Sequence, residues 1–159
     1  MEISLRERTA EHVRIYFEKS SDPEILKMMP RKAQTLEEAL EDYGKTLLPG
    51  SSSYGNTIYA DDIYVGDVWC YGIDLQEEPN CMLSCCVFEK TYWSKGIATR
   101  AVALFLEKLH LQYGIQTVGA FAYAQNIASV TMLKKNGFTV VEEIEEDGIS
   151  SAYLQKRMD

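Results

Sequence analysis

The chain has 159 residues, enough for one sizeable core and short for two, so a single domain over 1–159 is expected. Hydrophobic residues make up 46% and charged residues 25%, ordinary globular usage, and no apolar run is long enough to cross a membrane. A net charge of −8 argues against a nucleic-acid partner and favours a cationic or amine-bearing one.

The N-terminus, Met-Glu-Ile-Ser-Leu-Arg-Glu-Arg, lacks the apolar stretch of a secretory signal, so a cytoplasmic location is expected. Residues 2–8 alternate as a first strand, with Ile3 and Leu5 on one side. Thr9 then signals a helix N-cap, and Val13, Tyr16 and Phe17 share a helical face. Pro23 opens a short second helix to about Met29. Thr35-Leu-Glu-Glu has the form of a capping box for a third helix, to about Leu47.

Residues 49–55, Pro-Gly-Ser-Ser-Ser-Tyr-Gly, read as a loop, either a plain connection or a mobile flap. From Thr57 the pattern turns to strands: 57–60, a turn at Asp61-Asp62, and 63–73, a hairpin. The four cysteines, Cys70, Cys81, Cys85 and Cys86, lie in strand-like apolar contexts without paired spacing. They read as reduced core residues, and no metal site is expected.

Residues 81–88 form a short apolar run of buried-strand character, followed by Tyr-Trp-Ser-Lys-Gly-Ile-Ala-Thr at 92–99. Ala98, Ala101, Val102, Phe105 and Leu109 then recur at helical spacing, with Arg100, Glu107 and His110 on the other side. A strand, a glycine-containing loop and a helix start place free amides and positive potential at one point, which suits a phosphate. Gly96 permits close approach of the backbone. Lys90, Lys95, Arg100, Lys134 and Lys135 cluster in or near this turn and the next motif, an exception in an acidic chain.

Gly114 ends the long helix, and 116–123 reads as a strand reached by a right-handed crossover. Asn126 caps a helix over 127–135, Asn136-Gly137 terminates it, and 138–145 with 150–156 form a closing hairpin around Asp147-Gly148.

The combination of Trp-Ser-Lys-Gly-Ile-Ala at 93–98, Asn-Ile-Ala-Ser at 126–129 and Asn-Gly-Phe at 136–138 resembles the GNAT N-acetyltransferase superfamily. The spellings are most similar to the branch that acetylates ribosomal-protein N-termini, with relatives acting on polyamines and aminoglycosides. The resemblance runs from about Tyr64 to the C-terminus. It implies one α/β domain with a mixed, mostly antiparallel sheet of six to seven strands, helices on both faces, and a splay between the fourth and fifth strands. The implied cosubstrate is acetyl-CoA, whose acetyl group passes to a primary amine by direct attack.

By position, the backbone of Cys86, Val87 and Phe88 would pair with the pantetheine arm, and the loop Trp93, Ser94, Lys95, Gly96, Ile97, Ala98 and Thr99 would hold the pyrophosphate. Asn126 would bond the arm or cap its helix. Ser129 would give a proton to the leaving thiolate, or be an ordinary first-turn serine. The family's glutamate base falls near Met82, Leu83 and Phe121, and its tyrosine acid at Leu133, so neither group is present there. Asp67, Asp74, Tyr71 and Tyr123 remain as strand residues able to move a proton, with Tyr123 taken beside Ser129. The acceptor stays open among a protein N-terminus, a polyamine, an aminoglycoside and another small amine. Monomer and homodimer also stay open. A CoA-binding sensor without turnover is the competing reading, because the two family proton-transfer groups are missing.

Overall fold

The computed structural model describes residues 1–158. In chain order the elements are β1 (Ile3–Glu7), α1 (Ala10–Lys19), α2 (Pro23–Met28), α3 (Leu36–Thr46), β2 (Tyr54–Ala60), β3 (Ile63–Asp74), β4 (Asn80–Val87), α4 (Ile97–Tyr113), β5 (Thr117–Tyr123), α5 (Ile127–Lys135), β6 (Thr139–Glu146) and β7 (Ile149–Arg157). The strands form one seven-stranded sheet in the order β1-β2-β3-β4-β5-β7-β6. Only β4 and β5 run parallel, as the helical crossover between them requires.

The local signals act as expected. Thr9 accepts the His12 amide, and the His12 ring returns to the Thr9 amide, a reciprocal cap that the sequence reading did not assign to histidine. Thr35 accepts the amide of Glu38. Asp147 and Gly148 both have positive φ, the conformation a two-residue hairpin turn needs between β6 and β7. Helix α5 closes with Gly137 at φ 90° and the Phe138 amide on the Leu133 carbonyl, which satisfies its last turn.

The largest difference in boundary is at β2. Strand β2 begins at Tyr54 rather than Thr57, because Tyr54, Gly55 and Asn56 pair with Cys70, Trp69 and Val68 of β3. In the serine-rich loop before it, the Ser52 carbonyl accepts the Ile73 amide. Ile73 lies at the end of β3 opposite Gly66 and Val87, so the loop is tied down at the far end of the sheet from the β4–α4 turn.

The main core lies between the sheet and α4. Ile97, Ala101, Val102, Phe105, Leu106 and Leu109 bury one face of α4 against Val68, Cys70, Leu83 and Val118. Full burial of an apolar side chain the size of Phe105 stabilises by about 2–3 kcal/mol. Helix α5 packs on the same side through Met132 and Leu133. On the opposite face a smaller cluster joins Ile15 and Tyr16 of α1 and Ile25 of α2 to Cys86, Phe88, Tyr64 and Trp69. Among the described residues no helix is long and apolar enough to cross a membrane.

Candidate active site

Strands β4 and β5 pair over only three positions, Asn80 with Thr117, Cys81 with Val118 and Met82 with Gly119. Beyond these the strands part, and the gap between them is a slot of about 40 Å³. Consecutive residues of both strands line it: Leu83, Ser84 and Cys85 on one side, Ala120, Phe121 and Ala122 on the other. Residues adjacent along a strand face opposite sides, so the slot passes through the sheet. One mouth meets Asn126, Ser129 and Met132 of the α5 region, and the other meets Met28 and Met29 at the end of α2.

A larger cavity of about 710 Å³, within the usual range for small-molecule and cofactor sites, adjoins this slot and shares Met28, Met29, Cys85, Asn126, Ser129 and Met132 with it. It reaches the β4–α4 turn, where Trp93, Ser94, Gly96, Ile97, Ala98 and Thr99 form its wall. Gly96 is the N-cap of α4 at φ 77°, and no side chain caps the helix. Ser94 is also left-handed, at φ 62°. The turn therefore presents unsatisfied first-turn amides, at the positive end of a 17-residue helix, to the cavity. A Cβ on Gly96 would meet nothing within 4 Å, so the demand for glycine comes from φ and from the open cavity.

Of the residues singled out in the sequence, Cys86, Val87, Trp93, Ser94, Gly96, Ile97, Ala98, Thr99, Asn126 and Ser129 line the larger cavity, and Asn126 and Ser129 also line the slot. Three do not line either. The Lys95 ammonium stands 5.9 Å above the Tyr92 ring. Tyr123 ends β5 opposite Ser151. Phe88 is buried, and its amide bonds the Val65 carbonyl at 2.9 Å. Backbone groups alternate in direction along a strand, so the open edge of β4 belongs to Cys85 and Val87, and neither Cys86 nor Phe88 has an amide to offer there. The Val87 carbonyl on that edge already accepts the Trp93 indole N–H at 2.7 Å, which braces the turn against the strand.

Asn126 caps its helix, one of the two roles that the sequence leaves open. Its Oδ1 accepts the Ser129 amide at 3.2 Å and caps α5. Its amide NH₂, which among the described residues bonds no protein group, is left to donate into the cavity that Asn126 lines. The cap also fixes Ser129 at the first turn, where its side chain meets both spaces.

The basic cluster divides. Lys90 bonds Asp22 at 2.9 Å and Glu24 at 3.0 Å, so its charge ties α2 to the β4–α4 connection and is not available to an anion. These partners hold its ammonium above its usual value. Lys19 at the end of α1 and Glu89, 3.2 Å apart, tie α1 to the same connection. Lys135 lines the large cavity and has, among the described residues, no carboxylate within 4.0 Å. Arg100 and Lys134 do not line it.

The candidate proton-moving groups are also separated. Asp67 is 3% exposed, accepts the Tyr64 hydroxyl at 2.6 Å and lies 3.4 Å from the Arg8 guanidinium. Burial pushes its carboxyl up to about 6, against the opposing pull of Arg8 and Tyr64. It lies opposite Cys86 and outside both cavities. Burial also raises the Cys86 thiol, to about 11, and the Cys85 thiol above the usual range. Asp74 caps the Gln76 amide at the far end of β3, and Tyr71 lies opposite Met82. Among the described residues the slot is therefore lined by no carboxylate and no imidazole.

Sequence reasoning missed Cys85 as a wall of both spaces, and Met28 and Met29 with it. Met28 ends a six-residue helix and Met29 caps it; the helix's only buried residue is Ile25, a signal too short to place it over the gap.

The family model described as acetyltransferase (GNAT) domain matches residues 2–139. A comparison with curated protein sequences finds no match. Among solved structures the chain is similar to spermidine N-acetyltransferase from Vibrio cholerae in complex with CoA and spermine: TM-score 0.86, 13% identity, 98% of this chain and 95% of that one. It is similar to RimL, the ribosomal L7/L12 alpha-N-protein acetyltransferase in complex with coenzyme A, at TM-score 0.83 and 16% identity, over 99% and 94% of the two chains. Aminoglycoside acetyltransferase AAC(6')-Ib in complex with coenzyme A gives TM-score 0.81 and 16% identity, over 98% and 95%. Likeness at these identities establishes the fold.

Proposed function

This chain belongs to the GNAT acetyltransferase domain family, and from that premise we propose that it transfers an acetyl group from acetyl-CoA to a primary amine. The observation that carries the reading is one continuous space, from the uncapped start of α4, past Asn126 and Ser129, into the gap between β4 and β5. Its residues fit the cosubstrate part by part. The amides at 96–99 suit a diphosphate, and Lys135 adds a positive charge on the same wall. The open edge of β4 at Cys85 and Val87 and the Asn126 NH₂ suit the amide groups of an extended arm. Solved structures of the same fold hold CoA.

The slot sets the direction of the chemistry. A thioester held at the Ser129 mouth meets an amine entering from the α2 mouth, and the in-line arrangement supplies much of the acceleration. The nitrogen lone pair bonds the acetyl carbon, the C–S bond breaks, and the thiolate takes a proton. The backbone amide of Cys85 or Val87 meets the developing oxyanion, and the Ser129 hydroxyl donates to the sulfur. With no carboxylate in the slot, the amine's proton leaves through water, and Tyr123, two positions beyond Phe121 on the same sheet face, is the phenol on that path.

That missing carboxylate favours a second reading, a CoA-binding sensor without turnover. Thiol release from acetyl-CoA with a panel of primary amines separates the two. Release that drops at least about tenfold in Ser129→Ala supports the transferase. Tight acetyl-CoA binding with no release across the panel supports the sensor.

A further inference from the structure

Among the described residues the sheet face beyond the slot has no cover. Helices α4 and α5 pack on one face, and α1 and α2 cover the other over β2, β3 and β4, where His12 meets Tyr59. The registers place Phe121, Tyr153, Ser151, Ile149, Glu142 and Glu146 together on the uncovered face of β5, β7 and β6. Phe121 is 54% exposed although it lines the slot. Its ring lies 5.0 Å from Tyr153, and Tyr153 in turn lies over Gly119, where any Cβ would come within 2.6 Å of the phenol oxygen. Glycine at this position lets the tyrosine lie down against β5, and the two rings make an aromatic floor at the mouth of the slot.

The charge beside this floor is of one sign. Glu142 is paired across from Tyr153 and Glu146 from Ile149, and the hairpin adds Glu143, Glu145 and Asp147 at its edge and tip. Among the described residues none of these five carboxylates has a cation within 4.0 Å. The one arginine on the same strand face, Arg157, is held by Glu78 at 2.8 Å at the opposite end of β5. An aromatic floor rimmed by unpaired carboxylates attracts ammonium groups and repels anions.

Resting on the acetyl-transfer reading, we propose that the acceptor is a small polycation, a molecule with at least two ammonium groups. One amine enters the slot beside Phe121, and a second stays on the Phe121–Tyr153 floor next to Glu142, with Glu146 farther along the same face. A monoamine has the reacting group and lacks the anchor. An amine next to a carboxylate, as in a free amino acid, meets the hairpin's repulsion.

The test compares thiol release with n-butylamine, spermidine and kanamycin, a monoamine, a linear polycation and an aminosugar, with acetyl-CoA affinity measured by calorimetry in parallel. Both polycations, or one of them, should exceed butylamine in kcat/KM by about thirtyfold or more, and which one does identifies linear or aminosugar acceptors. In the double variant Glu142→Gln, Glu146→Gln that ratio should fall about tenfold, through KM, with acetyl-CoA affinity as the control for an intact fold. Rising ionic strength should erode it in the same way. Equal kcat/KM for all three amines, or an unchanged ratio in the variant, overturns the proposal. If no amine turns over, spermidine titrated calorimetrically into the CoA-loaded protein decides it, and no binding overturns it. Loss of acetyl-CoA binding in the parent protein would instead overturn the transferase reading.

Discussion

Replacing Gly96 with glutamate separates a cost to the fold from a cost to the ligand. Gly96 stands at φ 77°, where an L-residue with a Cβ costs about 1–2 kcal/mol. A Cβ there meets no atom within 4 Å, so no packing penalty adds to the strain. The new carboxylate would project into the space proposed for the diphosphate. Two like charges about 4 Å apart at an effective dielectric of about 20 repel by about 4 kcal/mol. Side-chain rotation away from the anion and salt screening reduce this to about 2–3 kcal/mol, which is about 30- to 150-fold in affinity. Gly96→Ala carries the strain without the charge. Urea unfolding should therefore show both variants destabilised by about 1–2 kcal/mol, while calorimetry shows acetyl-CoA bound by the alanine variant within about threefold of the parent and about 30- to 150-fold more weakly by the glutamate variant. Glutamate binding acetyl-CoA as well as alanine does would refute the placement of the diphosphate at α4.

Asn126→Ala removes the cap on the Ser129 amide and the free NH₂ together, so it should cost about 1 kcal/mol in unfolding and weaken acetyl-CoA about five- to tenfold. Asn126→Asp keeps the cap and loses the donor, and should weaken acetyl-CoA with stability retained; affinity tracking stability across both variants would refute the dual role. Burial raises Asp67 to about 6, so the native state holds this proton more tightly than the unfolded chain, and the contribution is complete below the ordinary carboxyl value of 3.8 and lost as pH rises through 6. The unfolding free energy of the parent relative to Asp67→Asn should accordingly drop by about 3 kcal/mol between about pH 4 and pH 7, and a difference flat in pH would count against a buried, destabilised carboxylate.

Much of this architecture was legible because its signals are local. Thr9, Thr35, Asn126, Gly96 and Gly114 mark helix ends through their own backbone and cap chemistry, and each does so here. The turn at Asp147-Gly148 and the period of α4 are of the same kind. Three errors share a different origin. Lys90 was grouped with the anion-binding cations, but its partners Asp22 and Glu24 come from a helix more than sixty positions earlier. Phe88 was counted on the open edge, although alternation along β4 and the bond to Val65 turn its amide toward β3. The early onset of β2 depends on its partners in β3 rather than on its own Ser-Tyr-Gly composition.

The sequence by itself determined the element order, the caps, the uncapped glycine turn and the resemblance that carried the family, since all of these depend on neighbours within a few residues. The tertiary structure alone decided that β4 and β5 part after Met82 and Gly119, that the gap runs through the sheet, and that β7 lies between β5 and β6. It also laid Phe121 and Tyr153 beside an unpaired acidic hairpin. Strand order and the faces that meet across it are set by contacts between distant segments, and no local propensity encodes which of two faces a helix will leave bare.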